Sequence, residues 1–156
     1  MKLLMYLLGA LVVCGGAWAS DSSALALRLA VTLNSDRSID CELSVKNTTG
    51  SVLEISISDA NPPFSVHIID QSGHDLNEAA NRPIKDRTRR GLISVRLQAG
   101  EVRTFHARVA IPGAMNADAS SGSYSVQAQL ATVDYIDRQY VTKLFTSNAV
   151  PIHVGR

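Results

Sequence analysis

With 156 residues, 46% hydrophobic, 5% aromatic and 19% charged, the chain has the make-up of one globular domain, not of a disordered or low-complexity polymer. Fifteen lysines and arginines stand against fourteen aspartates and glutamates, a formal net charge of +1. Bulk attraction to nucleic acid or to an anionic membrane is therefore not implied.

The chain opens with Met1-Lys2, runs uncharged from Leu3 to Val13, and reaches the A-x-A site Ala17-Trp18-Ala19. A basic start, an apolar stretch and small residues at the end are the three parts of a secretory signal peptide, here with cleavage before Ser20. Residues 1–19 are thus read as the signal and residues 20–156 as the mature domain. Two other readings stay open. The uncharged stretch from Leu3 to Ala19 reaches the lower edge of what spans a bilayer. Cys14-Gly15-Gly16 behind an apolar run resembles the lipobox of bacterial lipoproteins, although Val13 is bulkier than the small residue that family places there. Cleavage before Ser20 removes Cys14 and leaves Cys41 as a lone thiol, so no intramolecular disulfide is expected even in an oxidising compartment. The expected location is outside the cytoplasm, in a bacterial periplasm.

From Leu25 apolar residues fall on every second position: Leu25, Leu27, Leu29, Val31, Leu33. Period two means a strand with one buried face. The pattern repeats at Ile39, Cys41, Leu43 and Val45, and the Asn34-Ser35-Asp36 break between the runs predicts a hairpin. Asn47-Thr48-Thr49-Gly50 has turn chemistry; it also matches a glycosylation sequon, which matters only in a host that glycosylates. Leu53, Ile55 and Ile57 form a third run before Asn61-Pro62-Pro63, and Phe64, Val66 and Ile68 a fourth before Asp70-Gln71-Ser72-Gly73. Residues 74–91 hold no sustained period and read as a long loop, with one candidate helical turn at Leu76 to Ala80. Alternation returns at Ile93, Val95 and Leu97, and again at Phe105, Ala107, Val109 and Ile111. Residues 113–123 make a second loop, followed by Tyr124, Val126, Ala128 and Leu130, a weaker run from Tyr140 to Phe145, and Val150, Ile152 and Val154. The prediction is all-β, an antiparallel sandwich of seven to nine strands.

The succession of Asn47-Thr48-Thr49-Gly50, Asp70-Gln71-Ser72-Gly73, Leu97-Gln98-Ala99-Gly100-Glu101 and Gly122-Ser123-Tyr124-Ser125-Val126, closing on Val150-Pro151-Ile152-His153-Val154, resembles bacterial immunoglobulin-like domains. Within them it looks most like the small proteinase-inhibitor family typified by the Bacillus intracellular inhibitor. The chain departs from that family in lacking a tryptophan after Trp18 and in its export signal. The resemblance implies an immunoglobulin-like sandwich, and it implies inhibition only as an alternative, through a loop such as 74–91 or 113–123.

No residue set sufficient for catalysis, a metal or another cofactor is legible. His67, His106 and His153 each alternate with core residues and should face solvent. Their wide spacing offers no chelating pattern. His74-Asp75 lacks a serine in a nucleophile elbow. Asp70 to Asp75 has its glycine at the fourth position, where a calcium loop of the EF-hand type needs it at the sixth, and a turn with Gly73 at positive φ explains it better. Cys41 is in phase with the core and reads as a buried hydrophobe. Tyr124 is expected to take a structural role, as in a tyrosine corner.

Charge is unevenly spread. Residues 20–81 carry three basic and nine acidic side chains, a balance of −6, and residues 82–108 carry eight and two, a balance of +6. Cross-strand pairing in a sandwich would absorb part of this. The concentrated part is Arg82, Lys85, Arg87, Arg89 and Arg90, the candidate interaction surface, with a solvated loop as the bland alternative. No aromatic residue interleaves with these arginines, which weakens a reading as single-stranded nucleic-acid binding. The expectation is an exported, non-enzymatic module that binds another protein through its loops. Proteinase inhibition is the alternative, and an enzyme with a site built from distant residues comes third.

Overall fold

The computed structural model describes residues 24–78, 91–112 and 122–155, together with Trp18 and the backbone of Leu11–Val13. Every strand pairing in it is antiparallel. Two sheets enclose one core, the sandwich that the period-two runs predict.

The first sheet has the order β1 (Leu11–Val13), β2 (Leu25–Leu33), β3 (Ser38–Asn47), β7 (Val102–Ala110). Strands β2 and β3 form the expected hairpin, with Leu29 opposite Leu43 and Val31 opposite Cys41. Its turn closes through the Arg37 amide to the Asn34 carbonyl at 3.0 Å, with Arg37 at φ 61°. The apolar stretch read as the centre of a signal peptide supplies β1, which lies along the outer edge of β2 from Val31 to Leu33.

The second sheet is built on β8 (Gly122–Ile136) and holds β4 (Leu53–Ser58), β5 (Ser65–Ile69), β6 (Leu92–Leu97), β9 (Gln139–Thr146) and β10 (Val150–Val154). One edge of β8 pairs with β10 and then β9; the other pairs with β5 and touches β4 at Thr132. Leu29, Ile39, Leu43 and Val45 from the first sheet meet Ile57, Ile68, Leu97, Val126 and Leu130 from the second, all essentially inaccessible to solvent. Each such side chain contributes about 1.5–3 kcal/mol by leaving water.

Between the sheets, the Asn148 side chain works as a clip. Its Oδ1 accepts the Leu29 amide at 2.7 Å and its Nδ2 donates to the Leu29 carbonyl at 3.2 Å, satisfying both backbone groups on the edge of β2. At the other end of the core the buried Asn47 donates to the carbonyls of Ser51, Leu97 and Gln98 and accepts from the Thr49 amide and hydroxyl. That buried and fully used amide is the anchor of the turn.

Two elements differ from the sequence reading. Alternation in apolar character ends at Leu130, yet β8 continues to Ile136, because Thr132 and Asp134 occupy the next inward-phase positions and hide the pattern. Ile93 shares a face with buried Val95 and Leu97 but is 46% exposed, since β6 is an outermost strand and Ile93 stands near its open end. The predicted loops 74–91 and 113–123 fall largely outside the described residues, as do Ala79 and Ala80 of the candidate helical turn. Residues 75–78 form a turn in which the Glu78 amide bonds the Asp75 carbonyl. Among the described residues no helix is long and apolar enough to cross a membrane.

Candidate functional site

Arg82, Lys85, Arg87, Arg89 and Arg90, the surface expected from sequence, lie outside the described residues. The segment re-enters at Gly91, whose φ of 106° favours glycine and where an added Cβ would have to displace the Asp59 carboxylate. The rest of the charge asymmetry resolves partly as expected. Arg108 on β7 reaches Asp36 at 2.8 Å and Asp40 at 3.8 Å, and Arg96 on β6 stands opposite Glu54 on β4. Asp36 is held down to about 2 by the hydroxyl and amide of Ser38, with Arg108 adding to the effect.

The histidines separate into two kinds. His106 is an exposed strand histidine, as expected, with its side chain 71% open to solvent. His153 is exposed too and bonds the Ser123 hydroxyl at 3.1 Å. His67 is different: its Nδ1 lies 2.7 Å from Asp75 Oδ2 and its Nε2 lies 3.1 Å from Ser65 Oγ. A carboxylate can only accept, so Nδ1 donates to Asp75, while the single hydrogen of the Ser65 hydroxyl can go to Nε2 or to the Gln129 carbonyl, which both lie within reach. With the hydroxyl turned to Nε2, this is the hydrogen-bond order of a serine, a base and its orienting acid.

Sequence reasoning missed the trio because its parts come together in two ways. Ser65 and His67 share the solvent face of β5 by period two, a signal that is legible. Asp75 arrives only through the turn at Asp70–Gly73, where Gly73 takes the expected positive φ of 84° and Asp70 Oδ1 accepts the amides of Ser72 and His74. Partial burial raises the Asp75 carboxyl, but hydrogen bonds from Asn77, His67 and Ile68 outweigh it and hold the group below the ordinary carboxylate value. Asn77 Nδ2 in turn donates to the Val66 carbonyl at 2.8 Å. The cluster thus straps the 70–77 turn to β5. As a nucleophile Ser65 is poorly placed, because its hydroxyl also faces the Gln129 carbonyl at 3.3 Å and it opens a flat strand and not a sharp strand-to-helix turn.

Cys41 is buried at 2% exposure, as its phase predicted, and burial pushes its thiol up to about 12 with Asp40 adding to the rise. It is a packing residue with no thiolate to offer near neutral pH. Tyr124 is half-buried against the core. Among the described residues no group of three or more histidines, cysteines and acidic residues is arranged to hold a metal ion.

The largest departure from the expected surface is the β8–β9 hairpin. Beyond Thr132 the only strand beside β8 among the described residues is β9, so residues 133–142 form a two-stranded arm. Asp137 and Arg138 turn it with φ of 49° and 65°, the two positive values of a type I′ turn. Tyr135 and Tyr140 stand opposite each other with ring centroids 5.1 Å apart, and Lys143 reaches back to Asp134 at 2.7 Å. Tyr135, Ile136, Tyr140, Val141 and Leu144 are five of the eight exposed large apolar side chains among the described residues. Tyr135 at 65% and Leu144 at 61% lie on the outer face of the sheet; Ile136 and Val141 lie on the opposite face. An apolar concentration of this kind on an ordered element marks an interaction surface far more often than scattered exposed residues do.

In comparisons with known proteins, no family model and no curated protein matches the chain.

Proposed function

We propose that this protein is an exported, non-enzymatic binding module of the immunoglobulin-like kind, and that the β8–β9 arm is the surface by which it engages another protein. The observation that carries the reading is β9 itself: from Gln139 to Leu144 every residue is exposed although the strand is rich in large apolar side chains. Tyrosines supply wide, rigid contact area at small entropic cost, and Tyr135 and Tyr140 stand together at the end of the arm. The apolar start of the chain and its A-x-A site support export, and the lipobox-like Cys14 leaves an anchored form as its variant. The basic segment 82–90 adjoins Gly91 and remains a second contact region within the same reading.

The test is capture from the envelope fraction of the producing cell with the protein as bait, beside Y135S/Y140S/L144S. Loss of a specific partner with the triple variant is the expected result. A partner held equally by both baits would move the surface elsewhere, and an R87E/R89E/R90E bait would then examine the basic segment.

A second reading rests on Ser65, His67 and Asp75, whose hydrogen-bond order suits acyl hydrolysis. A fluorophosphonate probe that labels Ser65, and fails to label H67A, would favour it over binding. Absence of labelling leaves the cluster as the strap described above.

A further inference from the structure

We infer that the occupant of the arm is a second copy of this chain, added edge to edge along β9 so that the β8 sheets of two molecules become one. The inference rests on the reading of the arm as a binding surface and names its partner.

The Ala128 carbonyl accepts the Ser147 amide at 2.9 Å and the Ala128 amide donates to Ser147 Oγ at 2.9 Å, so both groups of Ala128 point toward the β9 side. Alternation along an antiparallel strand then makes Leu130 with Phe145, Thr132 with Lys143, Asp134 with Val141 and Ile136 with Gln139 the hydrogen-bonded pairs. The last of these closes the two-residue turn, as a type I′ hairpin requires. Tyr140, Thr142 and Leu144 are left with amide and carbonyl directed away from β8. Among the described residues no strand pairs with that edge.

Such an edge is ordinarily blunted by proline, a bulge or an inward charge. On β9 there is no proline, and the one charge, Lys143, is held by Asp134 on its own hairpin.

The register follows from the same alternation. Outward residues must pair with outward residues, so a two-fold axis near the middle of β9 passes either through Thr142 or through Lys143. The second choice sets Lys143 directly against its own copy, a like-charge pair that opposes association. The first sets Thr142 against Thr142, Tyr140 against Leu144 and Val141 against Lys143, with no like charges opposed. On the outer face Tyr135, Tyr140 and the copy's Leu144 then form one continuous apolar row. Each of the three outward pairs supplies two backbone hydrogen bonds.

Sedimentation equilibrium on the purified protein, in the form its producing cell leaves it, tests the inference beside T142P and T142V. Proline removes the outward amide of Thr142 and no bond to β8, whereas valine keeps the backbone donor. The expected result is a concentration-dependent dimer for the wild type and T142V, with at least a tenfold weaker dimer for T142P. Should T142P fail to fold, T142C and V141C decide the matter by mild oxidation. Thr142 stands about 5.5 Å from its copy in this register, within disulfide reach, whereas Val141 faces Lys143. A disulfide dimer from T142C and not from V141C supports the register.

A wild type monomeric at about 100 µM, a dimer indifferent to T142P, or equal cross-linking of the two cysteine variants overturns the inference. A monomer that still captures a different protein through Tyr135, Tyr140 and Leu144 overturns the second copy alone. A chain that neither dimerises nor captures through the arm overturns the binding reading as well.

Discussion

Strands β3 and β9 are made of similar material and meet opposite fates. Both carry large apolar residues and both pair antiparallel in good register. In β3, Ile39, Cys41, Leu43 and Val45 are buried to 2% exposure or less, because β2 and β7 flank the strand and the second sheet covers its inner face. In β9 only Phe145 is partly covered. Apolar character specifies a strand, while the opposing layer decides which strands become core. An apolar strand that outruns that layer is left with surface to share.

The sharpest break in the comparison is L43A against L144A. Leu43 is fully enclosed, so its truncation leaves a cavity and should cost about 2–5 kcal/mol. In the monomer, at protein concentrations below self-association, truncating the exposed Leu144 should change stability by no more than about 0.5 kcal/mol. Urea unfolding of the two variants reads the contrast directly; a large loss from L144A would mean that the arm packs on the sandwich after all.

Next in size is N47A, at the end of β3. It strips hydrogen bonds from the buried Leu97 carbonyl, from the Gln98 carbonyl and from the Thr49 turn, and should cost about 2–3 kcal/mol by the same measurement.

Alkaline pH sharpens the comparison from another side. The Cys41 thiol ionises near 9 in the unfolded chain and near 12 when buried in β3. Between these values the unfolded state has lost a proton that the folded state keeps, so this contribution is complete below pH 9 and is lost as pH rises toward 12. From pH 8 to pH 10 the loss should be about 1.4 kcal/mol, and C41A should lack it.

The smallest expected effect lies on the arm. Arg138 holds a left-handed conformation that suits glycine, so R138G should stabilise the hairpin by about 0.5–1 kcal/mol, visible as a modest rise in Tm.

These contrasts also show where sequence reading reaches its limit. The strands at Leu25–Leu33, Ser38–Asn47 and Val150–Val154 were legible because one of their faces is covered and selection for burial writes period two into the chain. The outer half of β8 was illegible because Thr132 and Asp134 interrupt that period where the cover ends. His67 was legible as facing away from the core, but its partnership with Asp75 depends on a turn that brings back a residue eight positions away. The basic segment 82–90 was legible only as composition.

The all-β class, the hairpin of β2 and β3, the inward phase of Cys41 and the turn with Gly73 at positive φ could all be read from the residue order. All of these follow from local alternation and turn chemistry, which each segment carries within itself. That Asn148 clips β2, that Ser65, His67 and Asp75 meet, and that β9 stands uncovered with its backbone open came from the packing of the two sheets. These depend on which layer lies above a strand and which edge lies beside it, and no segment encodes its neighbours.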